Sequence, residues 1–222
     1  MQKWIFDIRS RPFVLTIAAF VFVTLLVYFE VTQNFDESVS GYFQSIAGNV
    51  ALDLVMQSIS EIGDVYYMLI FAIVLLIIKK TRRIGLALMI LLVLATLLTG
   101  YIKCGVDRDR PSIDYEGTPF PIELSQDTFA LFCEGGFNAS YPSGHAARAT
   151  IFGIILGYAL SERFPRGHYL LLLYPFLMSL SRVYVIHHYP MDVIGGTILG
   201  IMLAGVIAKK IKFFKKPEIS KT

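Results

Sequence analysis

The chain has 222 residues, of which 55% are hydrophobic, and its formal net charge is +3. Its mean hydropathy of +0.60 is too high for an ordinary soluble globular protein, so the composition indicates an integral membrane protein with a single domain over residues 1–222. The small positive charge gives no support to nucleic-acid binding. A soluble all-α bundle with short core helices is the alternative.

The hydrophobic pattern predicts an all-α bundle of six transmembrane helices, at about 12–30, 65–78, 84–102, 144–161, 168–186 and 190–208. Only the uncharged runs 12–29 and 84–102 reach the roughly 18 residues expected of a clear span, so the other helices must extend into polar flanks. Between the first two spans, residues 36–60 carry apolar residues at helical spacing after an acidic start. This spacing predicts an amphipathic helix in the outer interface.

The basic residues are distributed unevenly along this predicted topology. With the N-terminus inside, fifteen of the 20 Lys and Arg residues fall in cytoplasmic segments, as the positive-inside rule requires. A soluble bundle has no reason to sort its charges in this way. The pattern therefore predicts a protein of the plasma membrane with both termini cytoplasmic. Five basic residues remain on the outer side: Lys103, Arg108, Arg110, Arg148 and Arg182.

The longest predicted loop, residues 103–142, lies on the outer side. It holds four of the nine prolines and the pair Gly135-Gly136, which together exclude a continuous helix. Cys104 and Cys133 both fall on this side, where a disulfide is permitted but not required. Asn138 begins a triplet that matches the glycosylation acceptor pattern, although such triplets are common by chance.

Three polar motifs interrupt the apolar chain, and the topology places all of them at the outer face. They are "KCGVDRDRP" (103–111) after the third span, "YPSGHAAR" (141–148) at the start of the fourth, and "SRVYVIHHYPMD" (181–192) after the fifth. A charge at the bilayer centre costs about 2.5–3.5 kcal/mol on insertion scales, so ionisable groups near spans need a partner or a function. We therefore expect these motifs to form one site.

The motifs resemble those of the type 2 phosphatidic acid phosphatase superfamily, which includes membrane lipid phosphatases, bacterial non-specific acid phosphatases and vanadium haloperoxidases. The resemblance rests on Lys-x6-Arg-Pro, Pro-Ser-Gly-His and Ser-Arg-x5-His-x3-Asp in that order. It implies metal-independent hydrolysis of a lipid phosphate or diphosphate through a phosphohistidine intermediate. The matching residues are Lys103, Arg110, Pro111, Pro142, Ser143, Gly144, His145, Ser181, Arg182, His188 and Asp192.

The chemistry of these residue types agrees with phosphoryl transfer. A transferring phosphoryl group spreads its charge over three oxygens and needs a preorganised set of cations and donors. Lys103, Arg110 and Arg182 can supply the charge, because guanidinium groups match phosphate oxygens. Ser143 and the amide of Gly144 lie at the predicted start of a helix, where free N–H groups bind anions.

Two adjacent histidines compete for the role of nucleophile. His188 and Asp192 are four residues apart, so on a helix they would share a face, whereas His187 is five residues from Asp192. The family spacing also selects His188, and His187 is interpreted as a spectator. A nucleophilic imidazole needs a partner on its other nitrogen, here Asp192. His145 is the predicted general acid, which later activates water.

The predicted site is cationic, so it would repel a divalent metal, and neither a metal nor another cofactor is expected. The expected partners are the membrane and a lipid phosphate substrate. Two other functions use the same residues. A vanadate-dependent haloperoxidase would oxidise halide when vanadate is supplied, and a non-catalytic lipid-binding protein would release no phosphate from lipid substrates. The complete set of catalytic residues favours the phosphatase.

One further residue bears on the substrate. Arg148 lies three residues after His145, so both are expected on one helix face, where Arg148 could contact a second phosphate. An arginine after this motif also resembles the isoprenoid-diphosphate phosphatases of the superfamily. An isoprenyl diphosphate is therefore predicted ahead of phosphatidylglycerol phosphate and phosphatidic acid. Alternatively, Arg148 pairs with an outer-loop acid such as Glu134 or Asp109 and is indifferent to substrate.

Overall fold

The computed structural model describes residues 9–112, 115, 139–161, 164 and 166–210, apart from the side chains of His168 and residues 207–210. The described part is helical, with one isolated antiparallel bridge between Asp109 and Ala139. A 3₁₀ helix lies at Gly167–Leu172. The α-helices are α1 Arg11–Tyr28, α2 Gln33–Ile46, α3 Val50–Ile62, α4 Val65–Ile77, α5 Arg82–Val106, α6 Gly144–Leu160, α7 Leu173–Tyr184 and α8 Pro190–Lys210.

Helix α6 lies at the centre of the bundle and packs against α5, α7 and α8. Its first turns carry Ala146, Ala147 and Ala149, all fully buried, and such small side chains let neighbouring helices approach closely. Deeper along the helix, Ile151 and Ile155 join the core formed with α5 and α8. This packing fixes the start of α6 in place.

Helices α1 and α4 present apolar side chains at the surface of the bundle. Leu15, Phe22, Ile70 and Ile77 are each more than 60% exposed, as expected for side chains that face lipid. By length and composition, two of the described helices can cross a membrane, α1 and α5, and there are three spans if the bent pair of α3 and α4 counts as one. These apolar helices indicate an integral membrane protein, and the full count of six spans stays a prediction.

The second predicted span is built differently from a single straight helix. Helix α4 has 13 residues, too few to cross the hydrocarbon core alone, since about 20 are needed. It continues from α3 through a break at Gly63 and Asp64, with a bend of 55° between the two helices. The Asp64 side chain accepts a hydrogen bond from the N–H of Tyr66 and caps α4. Counted as one span, the bent pair begins in the polar segment of α3.

The predicted amphipathic helix at 36–60 is two helices, α2 and α3, and a single helix was the wrong interpretation. Gly48 has φ of +97°, a conformation that suits glycine. Asn49 then caps α3 by accepting a hydrogen bond from the N–H of Leu52. Polar residues of both helices face the protein and are buried: Asp36 and Ser40 on α2, and Asp53, Gln57 and Ser60 on α3.

The predicted fifth helix, at about 168–186, is also divided, into the 3₁₀ helix and α7. Pro175 lies in the first turn of α7, where its missing N–H is tolerated, whereas further inside a helix it would remove a hydrogen bond. Cys104, near the end of α5, is disulfide-bonded. Cys133, Asn138 and Glu134 lie outside the described residues.

Candidate active site

Backbone hydrogen bonds bring the three motif segments together. Asp107, with φ of +48°, ends α5 and turns the chain towards the segment before α6. There the N–H of Ser140 donates to the carbonyl of Arg108 at 2.7 Å. The N–H of Ser143 donates to the carbonyl of Asp192 at 3.0 Å. The first motif therefore adjoins the second, and the second adjoins the third.

The start of α6 presents the groups expected of an anion site. The side chain of Ser143 caps the helix by accepting a hydrogen bond from the N–H of Ala146. Gly144 is the first helical residue and His145 the second, so their amides belong to the turn whose N–H groups have no intrahelical acceptor. The His145 side chain is buried. These three residues therefore lie at the start of a helix, and their roles stay predictions.

Two glycines of α8 allow this end of α6 to approach closely. A Cβ atom at Gly196 would clash with the carbonyl oxygen of Ser143, and one at Gly200 would lie 2.6 Å from the carbonyl oxygen of Ala147. Both neighbours are backbone atoms and cannot rotate away. The glycines at this spacing thus bring α6 and α8 into contact, with Asp192 near the start of α6.

The turn after α7 separates the two histidines. The N–H of His187 donates to the carbonyl of Arg182, and that of Ile186 to the carbonyl of Val183, which together form a Schellman motif. Ile186 occupies the left-handed position with φ of +56°, which glycine usually fills. After this turn His188 is buried at 2% exposure, whereas His187 is exposed.

Asp192 lies beside His188, as expected, but His188 is in the turn before α8 and the two residues do not share a helix face. Its Oδ2 is 3.6 Å from Nδ1 of His188 and accepts a hydrogen bond of 2.8 Å from the N–H of Tyr189. Its Oδ1 accepts a hydrogen bond of 2.9 Å from Arg108. The carboxylate is fully buried, and both of its oxygens accept hydrogen bonds from protein groups.

Arg182 lies in the last turn of α7 and is 3% exposed. Its Nη1 donates a hydrogen bond of 2.7 Å to Oγ of Ser60 on α3. The end of α3 also lies near His145, because a Cβ atom built on Gly63 would be 3.1 Å from Cδ2 of that histidine. Helix α3 therefore supports two of the predicted site residues.

Arg148 is buried, and its guanidinium turns back towards the start of α6. Its Nη1 lies 3.0 Å from the position that a Cβ atom of Gly144 would take. Arg148 therefore lies beside the anion-binding turn, in accordance with the face it shares with His145.

Lys103 and Arg110 flank the turn that ends α5, and both are partly exposed. The bridge between Asp109 and Ala139 places this segment next to the chain that leads into Ser143. Their roles in phosphate binding stay predictions. Within the described part of the chain, no group of three His, Cys, Asp or Glu residues could hold a metal ion.

Sequence reasoning missed Arg108, Asp36 and Ser60. Arg108 forms salt bridges with Asp192 at 2.9 Å and with Asp36 at 2.7 Å. Burial raises the pKa of the Asp36 carboxyl above its ordinary value, and the hydrogen bond from Arg108 acts in the opposite direction. A partial signal existed, because topology left Arg108 on the outer side without a motif role. Nothing in its spacing identified a partner on α2.

Comparison with known proteins agrees with this geometry. The family model described as the PAP2 superfamily matches residues 84–216. The chain is 30% identical over 196 residues to the undecaprenyl-diphosphatase of Sulfolobus acidocaldarius, and the match covers 86% of this chain and 87% of that protein.

Two crystal structures share the fold. One is a transmembrane PAP2 type phosphatidylglycerolphosphate phosphatase from Bacillus subtilis, with a TM-score of 0.73, 22% identity, and coverage of 93% of this chain and 99% of that chain. The other is LpxE from Aquifex aeolicus, with a TM-score of 0.60, 23% identity, and coverage of 79% and 95%. The helical arrangement described above is therefore one that solved membrane proteins adopt.

Proposed function

The chain belongs to the PAP2 superfamily and is a membrane lipid phosphatase, and from this premise we propose that it hydrolyses an isoprenyl diphosphate through a phosphohistidine on His188. The observation that carries this proposal is the buried pair of His188 and Asp192, with Nδ1 and Oδ2 separated by 3.6 Å. At 3.6 Å the carboxylate approaches the Nδ1 side of the ring without a hydrogen bond. Nε2, on the other side of the neutral imidazole, is the proposed attacking nitrogen.

The first chemical step forms the covalent intermediate. The electron pair of His188 Nε2 forms a bond to the terminal phosphorus, while the bond from that phosphorus to the bridging oxygen breaks. His145 gives its proton to that oxygen, so the isoprenyl monophosphate leaves without an extra negative charge. Arg182, Lys103 and Arg110 stabilise the charge on the equatorial oxygens.

The second step regenerates the enzyme. His145, now neutral, takes a proton from a water molecule as the water oxygen forms a bond to phosphorus. The phosphorus–nitrogen bond breaks, inorganic phosphate leaves, and His188 returns to its neutral form. No other reactant is required, and each histidine ends the cycle in its starting state.

Two observations support a diphosphate substrate. The Arg148 guanidinium lies 3.0 Å from the position of a Cβ atom on Gly144, in the turn whose amides we propose bind phosphate. It can therefore act as a fourth cation beside Lys103, Arg110 and Arg182. In addition, the Sulfolobus relative is an undecaprenyl-diphosphatase by name. A diphosphate carries more charge and more oxygens than a monophosphate, and a fourth cation suits it.

The substrate proposal is tested by phosphate release from purified wild-type protein. The panel contains an isoprenyl diphosphate, the matching monophosphate, phosphatidylglycerol phosphate and phosphatidic acid, each in the same mixed micelles. The proposal expects the highest kcat/KM for the isoprenyl diphosphate. A higher kcat/KM for either phospholipid would contradict it.

We further propose that the site faces the outside of the cell membrane, with both termini cytoplasmic, because most basic residues fall on the opposite side. A membrane-impermeant thiol reagent tests this on intact cells that produce single-cysteine variants. Ser38→Cys on α2 should react, and Lys79→Cys between α4 and α5 should react only after the membrane is opened. The reverse pattern would contradict the orientation.

A further inference from the structure

Arg108 is held by partners on two helices. Its Nη1 donates to Oδ1 of Asp192 at 2.9 Å, and its Nη2 donates to Oδ2 of Asp36 at 2.7 Å and to Oε1 of Gln33 at 2.9 Å. Its guanidinium carbon lies 4.2 Å from the ring centroid of Tyr189. The side chain is 9% exposed. Arg108 therefore joins the loop after α5 to both α2 and α8.

The contact with Oδ1 of Asp192 fixes the direction of that carboxylate together with the Tyr189 N–H, which donates to Oδ2. Because Arg108 occupies Oδ1, the carboxylate cannot rotate about its terminal bond without losing a buried charge-assisted hydrogen bond. Its Oδ2 is then the oxygen that faces Nδ1 of His188, at 3.6 Å. Breaking a buried ion pair on one side is costly, because the other charge is left uncompensated.

Asp36 holds Arg108 in turn. Its carboxylate is fully buried, and Oδ2 accepts both from Arg108 and from the hydroxyl of Thr32 at 3.1 Å. Its Oδ1 accepts from the N–H of Met191 at 3.1 Å, in the first turn of α8. Two carboxylates, those of Asp36 and Asp192, thus share the guanidinium of Arg108. Because their negative charge compensates that of Arg108, we do not expect Arg108 to bind the substrate phosphate.

We propose, on the basis of the function proposed above, that Arg108 is a positioning residue for the nucleophile and that Asp36 is its anchor. Arg108 orients Asp192, Asp192 orients the imidazole of His188, and α2 is linked through Asp36 to the reacting atom. A guanidinium is required because its fork can donate to both carboxylates at once, whereas an ammonium group is a point charge.

The test compares Arg108→Lys and Asp36→Asn with wild type on the substrate that the wild type hydrolyses. Single turnovers are measured with enzyme in excess, because their rate constant does not depend on the fraction of enzyme that is active. We expect both variants to lower this rate constant by roughly tenfold to a hundredfold, the effect of small displacements of a reacting group. KM should change by less than about twofold.

Ser38→Ala is the control, because Ser38 is exposed on the same helix and its hydroxyl donates to the carbonyl of Asn34. This substitution should leave the rate constant unchanged. A loss of active fraction with a normal rate constant would make the role structural and overturn the proposal. A change confined to KM would overturn it too, since Arg108 would then bind substrate. Asp36→Asn decides the matter if Arg108→Lys does not fold.

His188→Ala is measured in parallel to separate this proposal from the proposed function. Normal activity in His188→Ala would overturn the proposed function and this inference with it. An inactive His188→Ala together with wild-type rate constants in Arg108→Lys and Asp36→Asn would overturn the positioning role alone.

Discussion

Arg182 at the end of α7 donates a hydrogen bond of 2.7 Å to the hydroxyl of Ser60 on α3, and both residues are buried. The contact fixes the direction of a guanidinium that the proposed mechanism uses to stabilise the transferring phosphoryl group. Helix α3 was predicted only as part of an amphipathic segment in the membrane interface. Its contact with Arg182 gives it a direct connection to the phosphate-binding residues.

Ser60→Ala should therefore reduce kcat/KM without unfolding the protein. A hydrogen bond to a charged group contributes about 1.5–3 kcal/mol, so we expect a loss of roughly tenfold to a hundredfold. Steady-state phosphate release and a thermal melt measure the two effects. Ser58→Ala on the same helix is the control, because the Ser58 hydroxyl donates only to the carbonyl of Leu54 in its own helix among the contacts described. Equal losses in both variants would exclude a specific role for Ser60.

The two histidines after α7 should differ sharply in their contribution. His188→Ala removes the proposed nucleophile, and we expect phosphate release to fall by more than roughly a thousandfold. His187→Ala should keep most of the activity, because that side chain is exposed. Circular dichroism of both purified variants checks that they fold. Similar losses from the two substitutions would remove the basis for assigning His188.

Close packing of α6 against α8 should be sensitive to a single methyl group. Gly196→Ala places a Cβ atom against the carbonyl oxygen of Ser143, and we expect overpacking to cost about 1–3 kcal/mol of stability. A lower Tm and reduced kcat/KM are the expected readouts, since Ser143 must move. Gly105→Ala is the control, because a Cβ atom there meets nothing within 4 Å. A Gly196→Ala variant as stable and active as wild type would show that α6 and α8 are not in this close contact.

Arg148→Ala tests whether the fourth cation contacts a second phosphate. We expect kcat/KM to fall more for an isoprenyl diphosphate than for its monophosphate, with a difference of about 1–3 kcal/mol. The ratio of the two constants is measured within one preparation, so a partly inactive sample does not affect it. Arg148→Lys keeps the charge and should recover part of the difference. Equal losses on both substrates would leave Arg148 without a role in diphosphate selection.

The residues of α6 were predictable because local signals agree there. Ser143 is a good helix cap, the motif fixes His145 two residues later, and the helix runs over 144–160 against a prediction of 144–161. Asp192 does lie beside His188, although the i, i+4 argument assumed one helix and His188 is in the turn before α8. The resemblance read from these motifs is confirmed by the family model.

The supporting contacts were not predictable, because they join residues far apart in sequence. Arg108 and Asp36 are 72 residues apart, and Arg182 and Ser60 are 122 apart. No periodicity links such pairs, and their choice depends on how α2 and α3 pack. The chain breaks between α2 and α3 at Gly48, which has a positive φ. A glycine inside a helical pattern can mark such a break, but the sequence analysis did not use it.

The central claim is that a covalent phosphohistidine forms, and the stereochemical course at the transferred phosphorus tests it most directly. The substrate carries a terminal phosphorothioate made chiral with oxygen isotopes, and the configuration of the released thiophosphate is determined by phosphorus NMR. Two successive displacements, by His188 and then by water, should give net retention of configuration. Net inversion would mean that water attacks the substrate directly, and it would contradict the phosphohistidine intermediate.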